Sequence, residues 1–141
     1  MNRALSVCLL CLLLLLVGCG KERACNIPIG EAACKIDPNS PMYAGINNCD
    51  GYVYLVGGNQ GIVVVRTSWS EFAAYERTCP YDTARLEINP EYGNIVVECP
   101  KCHSRFNTYA DGCPLDGSQT SCYLYEYGTN YDGSLLYISN Y

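Results

Sequence analysis

The chain has 141 residues, among them 11 cysteines and 13 tyrosines, and its 9 basic against 14 acidic side chains give a net charge of −5. That length suits one small domain, and an acidic balance with no basic patch excludes nucleic acid as a partner. A single histidine and the absence of phosphate-loop, metalloprotease or G-x-S-x-G motifs leave hydrolytic catalysis without a base, so the chain is not expected to be an enzyme.

In chain order, Arg3 precedes an apolar stretch from Ala4 to Val17, the layout of a secretory leader. The stretch is shorter than the about 20 residues of a spanning helix. It ends Leu16-Val17-Gly18-Cys19, which resembles the bacterial lipobox, and this implies a thioether lipid on Cys19 after cleavage. Residues 1–18 are thus expected to be a lipoprotein signal peptide, and the membrane is expected as a partner through the lipid anchor. Asn2-Arg3-Ala4 contains no twin arginine, so export of an unfolded chain is expected. Gly20 after the anchor and the charged Lys21-Glu22 point to the outer membrane within the cell envelope.

Residues 19–50 read as a lipidated, irregular tether, because Pro28, Gly30, Pro38, Pro41 and Gly45 break any period. Eight cysteines follow Cys19, and an even count in an exported small domain is a signature of disulfides. Cys25, Cys34, Cys49, Cys113 and Cys122 are the disulfide candidates, with the pairing left open.

From residue 51 to 141 the pattern is β. Tyr52–Val56 and Ile62–Val65 flank Gly57-Gly58-Asn59-Gln60, a hairpin signal. Ser68-Trp69-Ser70-Glu71 matches a capping box and predicts a short helical turn before Cys79. Leu86–Ile88 and Ile95–Val97 flank a Pro90…Gly93-Asn94 turn, and Cys122–Tyr127 and Leu135–Ile138 flank Asp132-Gly133. Tyr123, Tyr125 and Tyr127 alternate onto one sheet face, where ring packing is expected over an exposed platform. Six short strands with glycine-rich turns predict an all-β antiparallel sandwich or barrel.

Two cysteine boxes, Cys79-Pro80-Tyr81 and Cys99-Pro100-Lys101-Cys102, lie on the connections between these strands. With the following Ser104-Arg105-Phe106 and Asp111-Gly112, they resemble the C-x-H and C-x-x-H boxes of Rieske iron–sulfur domains. The resemblance runs from about Gly51 to Asn140 and implies a Rieske-like small antiparallel β fold with two loop-borne cysteine boxes. Carried over residue by residue, Cys79 and Cys99 match the two cysteine ligands. Tyr81 and Cys102 stand at the two histidine positions, and His103 falls on the usual glycine.

A normal centre needs two histidines, so the ligand set is incomplete. The expectation is therefore a cofactor-free binding or structural module whose cysteines oxidise, with an unknown protein or redox partner. The alternatives are an electron-transfer protein with a non-standard [2Fe–2S] cluster, and a zinc site. Both would use Cys79, Cys99, Cys102 and His103, with Tyr81 a further candidate for the cluster. The C-P-x-D runs at Cys79 and Cys113 count as weaker half-sites because each lacks a second cysteine. A thiol redox role for Cys99-x-x-Cys102 lacks the βαβ pattern that accompanies it.

Overall fold

Alternation in β3 (Ile62–Arg66) and β4 (Phe72–Glu76) organises the whole domain, because both strands are buried along their full length. Successive side chains point to opposite faces. Val63, Val65, Ala73 and Tyr75 therefore enter one core, while Ile62, Val64, Phe72 and Ala74 enter another. A strand pair apolar on both faces must have a layer on each side. The computed structural model describes residues 25–141 and supplies both layers.

The larger sheet has six antiparallel strands. From β4 it runs through β3 to β2 (Tyr52–Leu55) at one edge. On the other side β9 (Glu126–Tyr131), β10 (Leu136–Ser139) and β1 (Ala33–Ile36) follow in that order. The smaller sheet orders β5 (Glu87–Ile88), β6 (Val96–Glu98), β7 (Arg105–Asn107) and β8 (Cys113–Pro114) as an antiparallel ribbon. Leu86, Ile88, Val97 and Phe106 of this ribbon pack on Val63, Val65 and Tyr75 of the large sheet. Cys79 and Cys99 belong to that same buried cluster, which places both boxes at the margin of the inter-sheet core. The chain thus forms the expected all-β antiparallel architecture with two loop-borne boxes.

The N-terminal part of the described chain is built into the domain. β1 pairs with β10 over Ala33 to Ile36, and Ile46, at the end of a 3-10 segment Pro41–Ile46, is fully buried. Arg66, 4% exposed, donates to the Ile46, Asn47, Ser68 and Trp69 carbonyls and so binds that segment to the β3–β4 hairpin. The expected irregular tether therefore contributes an edge strand and a core plug. The short helical turn expected at Ser68–Glu71 is instead the hairpin connection. Thr67 N–H donates to Glu71 O at 3.0 Å, and Ser68 Oγ meets Glu71 Oε2 at 3.2 Å, so the capping-box residues close a β turn.

Of the disulfide candidates, Cys25 and Cys122 are joined, tying the start of the described chain to the segment before β9. Cys34, Cys49 and Cys113 are unpaired, and they sit on β1, beside Asp50 and on β8. Tyr125 and Tyr127 pack edge to face at 5.1 Å, with Tyr127 fully buried, so this part of the tyrosine run is used for packing. The expected signal peptide, residues 1–18, and the expected lipidation site, Cys19, lie outside the described residues. Among the described residues, no helix is long and apolar enough to cross a membrane.

Gly58 shows how closely the β2–β3 turn fits the core. It has φ of 63°, and a Cβ there would collide with the Glu76 carboxylate and the Tyr127 hydroxyl. Gly58→Ala is expected to destabilise by about 1–3 kcal/mol, read by urea unfolding.

Candidate metal centre

The two boxes fold into the same loop twice. After Thr78, which bridges to Arg85, the first loop closes with Thr83 N–H donating to Cys79 O at 3.0 Å and Cys79 N–H to Ala84 O at 2.8 Å. Between β6 and β7 the second closes with His103 N–H donating to Cys99 O and Cys99 N–H to Ser104 O, both at 2.9 Å. The fifth residue of each is left-handed, Thr83 at φ 62° and His103 at φ 60°. Non-glycine residues enter that region at a cost, and each loop's two closing hydrogen bonds hold them there. Position by position, Cys79-Pro80-Tyr81-Asp82 corresponds to Cys99-Pro100-Lys101-Cys102.

This repeat brings the first and fourth residue of each loop together. Ligand atoms of Cys79, Asp82, Cys99 and Cys102 all lie within 4.8 Å of one another. Cys79 Sγ is 3.7 Å from Cys102 Sγ, and Cys99 Sγ donates to Asp82 Oδ1 at 3.4 Å. Cys79 and Cys99 are fully buried, while Asp82 and Cys102 are half-buried.

Burial pushes the Cys79 thiol up, against the opposing pull of the Asp82 and Tyr81 amides. Burial also raises Cys99, opposed in the same way by the Cys102 and Lys101 amides. Both sulfurs thus receive equivalent amides from their own loops. Burial would raise Asp82 too, but the Ala84 amide at 3.0 Å and the surrounding thiols outweigh it and hold this carboxyl below its ordinary value. The Cys99 thiol thus donates to a carboxylate while Cys102 Sγ donates to Ser104 Oγ at 3.2 Å, and a cation entering the cluster would take the place of such thiol protons.

The spacing is that of ligands around a tetrahedral ion. Metal–sulfur bonds of about 2.3 Å at tetrahedral angles give a sulfur–sulfur edge of about 3.8 Å, and a sulfur–oxygen edge comes out at about 3.5 Å. The observed 3.7 and 3.4 Å match those edges. A [2Fe–2S] cluster spreads its four ligands over two irons, so two ligands of one iron stand at a tetrahedron's edge and pairs on different irons stand farther apart. The four ligand atoms here all lie within 4.8 Å of one another.

No family model and no curated protein matches the chain. Among solved structures, it is similar to the ferredoxin of carbazole 1,9a-dioxygenase from Nocardioides aromaticivorans IC177, with 17% identity, a TM-score of 0.48, and 67% of this chain and 88% of that chain covered.

Cys79, Cys99 and Cys102 are brought together, and two other sequence candidates are not. Tyr81 is 57% exposed on the outside of its loop. The His103 side chain is 75% exposed, and its Nδ1 lies 3.2 Å from Glu98 Oε1. Next to Cys102 in sequence, its left-handed backbone sends the ring away from the thiols. Asp82 completes the group without having been singled out as a ligand. Its sequence signal is the repeated C-P-x-D and C-P-x-C pattern, in which aspartate stands where the second box has its second cysteine. The third such run, Cys113 to Asp116, lies on and after β8 and does not join the group.

Proposed function

We propose that Cys79, Asp82, Cys99 and Cys102 hold one four-coordinate zinc ion that staples the two loop tips of an exported, lipid-anchored binding or structural module. The mutual spacing of the four ligand atoms, all within 4.8 Å, is the observation that carries this reading. Zinc, borderline-soft, accepts thiolate and carboxylate together. Four protein ligands leave no open position for water or substrate, which is how structural zinc sites differ from catalytic ones. The two loops end separate ribbons, so an ion between them adds a cross-link where the small sheet meets the large one. The leader supports the same reading, because a chain exported unfolded can take up an ion afterwards more simply than a preassembled cluster.

The test is the metal content of the chain exported through its own leader and purified without oxygen. About one zinc per chain, in a colourless protein, is expected. Two irons with visible absorbance would overturn the reading in favour of a cluster. A metal-free protein with Cys79 and Cys102 oxidised to a disulfide would overturn it in favour of the cofactor-free module.

A further inference from the structure

Beside the turn joining β2 and β3, an open cleft of about 480 Å³ is lined by Tyr54, Leu55, Val56, the turn 57–61, Arg77 and Arg85. No carboxylate lines it, although the chain carries 14 acidic residues. The nearest acids are used elsewhere. Glu76 faces the core, where backbone, threonine and tyrosine donors saturate it. Glu87 acts on Arg77 through space but lines the neighbouring cleft with Ile88 and His103. Neither arginine forms an ion pair among the described residues.

Arg77 is 8% exposed and fixed without use of its terminal nitrogens. Its Nε donates to Leu86 O at 2.8 Å, and its guanidinium lies 3.7 Å from the centre of the Tyr54 ring. Tyr54 is itself anchored, since its hydroxyl accepts from Ile88 N–H at 2.7 Å. A guanidinium stacked and hydrogen-bonded in this way presents a fork whose orientation is settled before any ligand arrives. Arg85 adds a second charge on an exposed, unpaired side chain.

We propose that Arg77 and Arg85 bind the phosphate group of a small soluble phosphate monoester. Two guanidinium charges balance a group that carries about −1.5 to −2 at neutral pH, and phosphate oxygens accept the paired donors of an arginine fork. The organic part of the ligand would lie on Leu55 and Val56, and Val56 is 96% exposed, a cost in water that a ligand would remove. The cleft volume falls in the about 300–1,000 Å³ range of small-molecule sites. None of the four metal-ligand residues lines it, so this site stands independently of the zinc.

Titrating the full-length chain with inorganic phosphate at low ionic strength, against acetate as a singly charged control, tests the assignment. Saturable phosphate binding tighter than acetate binding is expected. Arg85→Gln should weaken it by about tenfold or more while fold and metal content stay unchanged. Arg77→Lys, which keeps the charge and loses the fork, should also weaken it; if that variant fails to fold, Arg85→Gln decides. Absence of saturable phosphate binding, equal affinity for acetate, or an Arg85→Gln affinity equal to that of the unaltered chain would each overturn the proposal.

Discussion

Asp82→Ala is expected to remove the metal as effectively as Cys99→Ser, whereas Tyr81→Phe and His103→Ala are expected to leave it in place. The two pairs distinguish Asp82 from Tyr81 and His103 as the fourth ligand beside the three thiolates. Apparent binding free energies of structural zinc run to about 10–16 kcal/mol, so losing one of four ligands should cost about 3–4 kcal/mol, or about 10²–10³-fold in affinity. Competition against a chelator of known zinc affinity reads the difference directly. Asp82→Cys makes the first loop chemically equal to the second and is expected to keep the metal in a four-thiolate set. His103→Ala removes an exposed ring bonded to Glu98, and Tyr81→Phe removes a hydroxyl from a ring on the outside of its loop. Metal loss in either variant would return that residue to the ligand set. Full retention in Asp82→Ala would reduce the protein ligands to the three thiolates.

Runs of β-branched and aromatic residues made much of this architecture legible. Ile62–Val65 and the strand pair around Pro90 lie largely in β structure, and so does Leu135–Ile138, but of the expected arm Cys122–Tyr127 only Glu126 and Tyr127 are strand, since β9 begins at Glu126 and runs on to Tyr131. What escaped has a shared physical cause. β4 reads Phe-Ala-Ala-Tyr-Glu and follows a capping-box pattern, so neither alternation nor propensity marks it; its two faces are both buried and its small alanines let the layers approach. β1 is a four-residue edge among prolines and glycines, made by its pairing with β10 and not by local preference. β7 and β8 are too short to show a period. At the site, the meeting of Cys79, Cys99 and Cys102 was legible because the boxes carry their own spacing. Asp82 was not, because its role depends on backbone equivalence between two loops, seen only in their matching hydrogen bonds and positive φ values.

Glu76→Ala is expected to destabilise the domain by about 3–5 kcal/mol, the largest effect on folding of any substitution proposed here. Glu76 is fully buried and accepts from Asn59 N–H at 2.7 Å, Gln60 N–H at 2.9 Å, Thr78 N–H at 3.0 Å, Thr78 Oγ1 at 2.7 Å and Tyr127 Oη at 2.6 Å. Removing the carboxylate leaves those donors facing one another around a cavity, so desolvation and lost packing add. Tyr127→Phe withdraws one donor and spares the rest, and should cost about 1.5–3 kcal/mol. Urea unfolding of both variants tests the order; a Glu76→Ala loss below about 1 kcal/mol would mean that water replaces the carboxylate and that the network is not what holds the turn. The same network reaches the first of the two cysteine loops, since Asn59 Nδ2 donates to Thr78 Oγ1 at 3.0 Å, Thr78 precedes Cys79, and Gln60 Nε2 donates to Thr83 O at 3.4 Å. Glu76→Gln keeps the side-chain shape and removes the charge. It should weaken zinc binding by about tenfold, as changes outside the ligand set do, while leaving the four ligands and the one-to-one stoichiometry intact.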